Sequence, residues 1–217
     1  MITRRTGLGL LMIVLLMLAA SALTYPVLPE RVATHWNAQG QADGYGSRFL
    51  AVSFLPLLTA GIVLLLSFLP AIDPLKTNLY HFRREYNGFV LLFAGFMAYI
   101  HFLTLAWNLG WQIDMVRAFV PAFAILSYFI GALLSKARRN WFVGIRTPWT
   151  LSSDVVWERT HRAASLWFKL AAAVSLLGLL FARFAFLFVI VPLLLVALAA
   201  VVLSYIEYLR LTSSGTD

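Results

Sequence analysis

Between Ala163 and Ile206 the chain runs for 44 residues with only Lys169 and Arg183 charged. As one helix this run would measure about 66 Å, at about 1.5 Å per residue, whereas bilayer hydrocarbon is about 30 Å thick. It must fold back on itself, and Arg183 is the natural turn, which gives spans at 163–182 and 184–206. Four further stretches are long and apolar enough to cross: 7–25, 49–69, 87–107 and 117–135. The uncharged run of the last, Ala118 to Ser135, is the shortest, and flanking Arg117 and Lys136 can snorkel to the two surfaces. A spanning backbone must satisfy its own hydrogen bonds, and these segments are too long for barrel strands. The expected fold class is therefore all-α: a polytopic membrane protein, one bundle of six transmembrane helices in a single membrane domain.

Composition agrees. The chain is 61% apolar and 12% charged, against about 45–50% and about 25% for a soluble domain, which excludes a globular cytosolic enzyme and a disordered tail. It has no cysteine, so disulfides, thiolate metal sites and a cysteine nucleophile are excluded. Seventeen Lys+Arg against nine Asp+Glu give +8. These charges sit in loops between apolar runs, where anionic lipid and membrane insertion account for them without nucleic acid. With the N-terminus inside, thirteen of the seventeen basic residues lie on the cytoplasmic side, leaving Arg31, Arg48, Arg117 and Arg183 outside. Both termini are thus expected in the cytoplasm. Arg4-Arg5, the leucine-rich run and Ala20-Ser21-Ala22 follow the order of a cleaved signal peptide. The uncharged run exceeds the usual core of about 7–15 residues, however, and a retained first helix is expected.

Two loops are long enough to carry information. The outer one, 26–48, begins with Pro26 and Pro29, which end the first helix. Asn37, Gly40, Asp43-Gly44 and Gly46 are turn formers, so a compact loop or small hairpin is expected. His35, Trp36, Asn37, Asp43 and Tyr45 are the candidate ligand-binding residues: an imidazole beside an amide and a carboxylate, between aromatic anchors. The competing interpretation puts Trp36 and Tyr45 in the interfacial aromatic belt and has His35 close a local hydrogen bond. His35 and Asp43 alone do not make a zinc site, so no metal is expected.

The inner loop, 136–162, contains Gly144 and Thr147-Pro148, which prevent a continuous helix. Ser152 or Ser153 followed by Asp154 then reads as a helix start. From there Trp157, Thr160, His161, Ala164 and Phe168 fall on one face. Trp141, Trp149 and Trp157 recur at 8-residue intervals among Arg138, Arg139 and Arg146, as in a segment lying on the bilayer surface. The candidate motif is Asn140, Gly144, Arg146, Thr147, Pro148, Trp149 and Trp157, serving either docking or structure. Arg146 and Trp149 form a docking feature, or Arg146 pairs with Asp154 or Glu158 and locks the loop. The basic, aromatic inner face suits lipid head groups or an acidic protein surface.

These two loops together resemble the SdpI-type immunity family of bacterial membrane proteins, whose amino-terminal segment is of unknown function. The outer likeness rests on Pro29, His35, Trp36, Asn37, Gly40, Asp43 and Gly44. The inner one rests on Asn140, Gly144 to Ser152 and Trp157, and Asp73-Pro74-x-Lys76 also fits. The resemblance implies a multi-pass protein of the bacterial cytoplasmic membrane that protects a cell from a secreted peptide toxin. In the founding system it also implies that the occupied protein holds a cytoplasmic repressor at the membrane. It carries over no catalytic residues and no cofactor. The partners it implies, beyond membrane lipids, are thus a peptide toxin and a repressor protein, with no direct nucleic-acid contact.

The alternative function is a small-solute or ion-coupled transporter or channel, for which His101 near mid-span and Asn108 are the candidate intramembrane groups. An enzyme is not expected. No H-E-x-x-H, G-x-S-x-G or paired intramembrane carboxylates occur, and His81 with Glu85 and Glu158 with His161 read as surface pairs.

Overall fold

The computed structural model describes residues 1–213. Among them, six helices are long and apolar enough to cross a membrane. They are α1 (Arg4–Thr24), α2 (Arg48–Ile72), α4 (Arg83–Asn108), α5 (Met115–Leu134), α7 (Asp154–Leu176) and α8 (Ala185–Ser213). Two short helices, α3 (Lys76–His81) and α6 (Pro148–Ser152), lie in the connections at one end. At the opposite end a two-stranded antiparallel hairpin, β1 (Arg31–Trp36) and β2 (Ala42–Ser47), links α1 to α2. It is the one departure from helix among the described elements, at the place where the turn formers cluster.

Helix starts follow local chemistry. Thr3, Ser47, Asp114 and Ser153 each turn a side-chain oxygen onto a first-turn N–H of α1, α2, α5 and α7, satisfying donors that the helix itself leaves open. The Ser153 cap starts α7 at Asp154, so residues 154–162 are helical although the apolar run begins only at Ala163. The long apolar run reverses through two single 3-10 turns, Leu177–Leu179 and Ala182–Phe184, with Arg183 in the second.

The six long helices pack as two groups of three: α1 with α2 and α4, and α5 with α7 and α8, joined where α4 meets α5. Lipid tails are as apolar as leucine, so helices in a membrane associate through close approach of small residues and interhelical hydrogen bonds. Both devices are present. At Gly131 in α5, a Cβ would stand 2.6 Å from the Ser165 carbonyl oxygen of α7. One turn earlier, Ser127 Oγ donates to the Phe168 carbonyl at 2.8 Å. In the other group, Ser21 Oγ of α1 donates to the Val52 carbonyl of α2 at 2.7 Å and sits 3.0 Å from Nε2 of His101 in α4. His101 is fully buried and joins three helices at one point. Leucines such as Leu8, Leu11, Leu15, Leu194 and Leu198 face outward, as a lipid-facing surface requires.

Candidate ligand cleft and the two loop motifs

The hairpin is a tightly specified turn. Asn37 Oδ1 accepts from the N–H groups of Gln39 and Gln41, each at 3.0 Å, and Gly40 completes the reversal at φ 76°, a region that glycine enters without penalty. The register slips around His35, and across from it a Cβ on Gly44 would come within 2.8 Å of the His35 Cβ. Glycine there lets the two strands close. His35 Nδ1 lies 2.6 Å from Asp43 Oδ1, with the two side chains 71% and 46% exposed, so the pair stands in reach of a ligand. Tyr45 is exposed beside the Arg31 guanidinium. Trp36 is half-buried, edge-to-face with Trp107 of α4 at 5.5 Å.

Asn108 fixes the hairpin to the bundle. Its Oδ1 accepts from the Ala33 N–H at 2.8 Å and its Nδ2 donates to the Ala33 carbonyl at 2.9 Å, the two-bond pairing of a strand edge. Val32 and Leu28 pack beneath against Ala51, Val52 and Leu105.

Under the hairpin, where the two helix groups part, lies an apolar cleft of about 590 Å³. Thr34, His35, Trp36, Asn37 and Ala38 form its head, and α2, α4, α5 and α8 supply its walls. The inner wall is buried: Ala51, Thr104, Met115, Val120 and Ala185. The lips, Leu50 and Phe54 on α2 and Phe186 on α8, are about half exposed on the flank of the bundle. A concave, mostly apolar site with a few polar groups at one end is the usual form of a ligand pocket.

The other motif is built in the opposite sense. Gly144 has φ 117°, and a Cβ there would collide with the His161 ring and meet that of Trp157. Those rings stack at 3.9 Å. His161 Nε2 accepts from the Ile145 N–H at 3.0 Å, while Nδ1 lies 2.8 Å from the Trp157 carbonyl, so the proton resides on Nδ1. Trp157 Nε1 donates to the Ala137 carbonyl at 2.9 Å. Asn140, fully buried, accepts from the Phe142 and Val143 N–H groups and donates to the Arg138 and Val143 carbonyls. Thr147 and Thr150 form a reciprocal capping box at the start of α6, with Pro148 as its first residue. Thr147 Oγ1 also donates to Ser204 Oγ of α8 at 3.0 Å, and Trp149 packs on Tyr205 of α8, ring centroids 4.9 Å apart.

Arg146 is exposed and donates to the Trp141 carbonyl at 2.9 Å. The pairing with Asp154 or Glu158 that its position suggests is not the one formed. Arg139 takes Asp154, at 2.7 Å, and also donates to the Leu151 carbonyl. The Gly144 turn puts Arg139, not Arg146, alongside the start of α7.

Two residues absent from the inner candidate set complete the motif. Asp73, buried after α2, accepts from the Leu75 N–H at 2.7 Å and the Trp141 N–H at 3.0 Å. Asn78 donates to the Arg139 carbonyl at 2.8 Å. The Asp73-Pro74-x-Lys76 run is thereby tied to a loop 68 positions away. Among the described residues no three His, Cys, Asp or Glu gather as a metal centre requires.

The class defined by these features is a six-helix, multi-pass membrane protein in two three-helix groups, pinned at one end by a buried loop motif and crowned at the other by a hairpin over an apolar cleft. Comparison with known proteins finds two likenesses: residues 136–206 match the SdpI/YfhL protein family and residues 12–60 a domain of unknown function, DUF1648. The chain is 25% identical over 205 residues to the immunity protein SdpI of Bacillus subtilis (strain 168), covering 94% of this chain and 96% of that relative. No solved structure matches it. The hairpin lies inside the first matched segment and the Asn140–Trp157 motif inside the second.

Proposed function

We propose that the chain is an immunity-type protein of the bacterial cytoplasmic membrane that binds a membrane-active peptide at its hairpin end, without catalysis. The observation that carries this reading is the exposed His35–Asp43 pair and Tyr45 standing beside Trp36 at the head of an apolar cleft, in a chain similar over nearly its whole length to an immunity protein. The distribution of basic residues supports a hairpin outside and both termini inside. A peptide already partitioned into the outer leaflet would meet the aromatic residues and cleft lips with its apolar face and the His35–Asp43 pair with its polar one. The Lys136–Arg139 face, with Trp149, is where a cytoplasmic repressor would be held. The role of His101 in joining α1, α2 and α4 supports packing over ion transport.

The test is survival of a toxin-sensitive bacterial host expressing the protein, challenged with small secreted peptides encoded beside its gene. Protection that is lost in Trp36→Ala and Asp43→Ala at unchanged membrane levels is the expected result. No gain in survival with any such peptide would contradict the reading.

A further inference from the structure

The chemistry of what the cleft beneath the hairpin would hold follows from where the cleft sits. From Met115, at the head, to Phe123, at the deep end, is eight residues of α5, about 12 Å along the axis. One leaflet of a bilayer is about 15 Å of hydrocarbon. The cleft thus lies within a single leaflet, polar at its head, where Thr34, His35 and Asn37 stand, and apolar along its depth apart from Thr104, whose hydroxyl donates to the Ile100 carbonyl. Its lips, Leu50, Phe54 and Phe186, belong to the same exposed apolar surface that the helices present to lipid. Hydrocarbon chains therefore meet it sideways between these lips, and apolar walls left without contacts would forfeit their dispersion energy.

One polar group near the head has its bonding unfinished. The Trp36 Nε1–H is shielded from solvent and has no acceptor in the protein, and a buried donor left so costs about 1–3 kcal/mol. Glycerol ester carbonyls occupy the boundary between head groups and hydrocarbon, the level at which tryptophan concentrates in membrane proteins. We infer that the cleft holds one phospholipid from the hairpin-side leaflet, an acyl chain along its walls and an ester carbonyl accepting from Trp36 Nε1, which a small rotation of the indole uncovers. The lipid is part of the resting protein, and a peptide arriving at the hairpin competes with it for the head of the cleft. Only that competition rests on the immunity reading.

Native mass spectrometry of the full chain, extracted in mild detergent from vesicles of phosphatidylethanolamine and phosphatidylglycerol, tests this. One phospholipid is expected to remain on the protein after annular lipid is stripped. Leu55→Phe with Ile190→Phe fills the cleft from opposite walls and is expected to remove that adduct, with helical content and monodispersity unchanged. Trp36→Phe keeps the ring but not the donor and should weaken retention about fivefold, the weight of one hydrogen bond. No retained lipid, or a lipid retained equally by the filled variant, would overturn the proposal. Neither result would bear on whether the protein protects against a peptide.

Discussion

The hairpin and the Asn140–Trp157 motif use the same residue types, histidine, tryptophan, asparagine and glycine, to opposite ends. His35 leaves its ring exposed against Asp43. His161 is buried, stacked on Trp157, with both ring nitrogens engaged by backbone. Asn37 shapes an exposed turn, whereas Asn140 is fully buried with four backbone partners. In the inner motif almost every polar group is satisfied internally, which makes it a clamp joining both helix groups. At the hairpin the His35–Asp43 pair and Tyr45 remain accessible, open to the recognition proposed above. A shared set of residue types therefore does not imply a shared role; what separates the roles is where the hydrogen bonds end.

The sharpest way to break this comparison is Gly144→Ala. A left-handed φ and a collision with His161 act together, and such strain and overpacking cost about 1–3 kcal/mol each, a large share of a typical stability of about 5–15 kcal/mol. Membrane accumulation should collapse, measured by immunoblot of the membrane fraction. Asn140→Ala comes next: it strands two half-buried N–H donors at up to about 1–3 kcal/mol each, and the thermal aggregation midpoint in detergent should fall by several degrees.

At the hairpin the order of effects inverts. Gly44→Ala forces the strands apart at His35, and it should abolish binding or protection while lowering the aggregation midpoint much less than Asn140→Ala does. Asp43→Asn is the mildest for stability. An exposed pair contributes less than about 1 kcal/mol, so the midpoint should stay within error while protection falls. A hairpin substitution that destabilised the protein as much as Asn140→Ala would erase the distinction.

The helices were legible because their apolar runs are about as long as a bilayer is thick or longer, and the hairpin because Asn37, Gly40 and Gly44 leave few other conformations. The start of α7 could be read from Ser153-Asp154. The partner of Asp154 could not, because Arg138, Arg139 and Arg146 all lie near it in sequence and the Gly144 turn decides which one arrives. The tie from Asp73 to the Trp141 N–H spans 68 positions and involves a backbone donor, which no side-chain pattern betrays. The cleft was illegible for a related reason. Its walls come from residues between Thr34 and Ile190 on a hairpin and four helices, each of which reads singly as ordinary lipid-facing surface. Asn108 looked like an intramembrane polar group, and its use as a splint for Ala33 needed the hairpin to be in place.

The account depends most on the hairpin and the inner motif facing opposite compartments. The chain has no cysteine, so single cysteines at exposed Gln39 and Ser152 can be labelled cleanly with a membrane-impermeant maleimide on intact cells. The account predicts that Gln39→Cys reacts at once and Ser152→Cys only after the membrane is opened. Equal labelling of both, or labelling of Ser152→Cys alone, would contradict it.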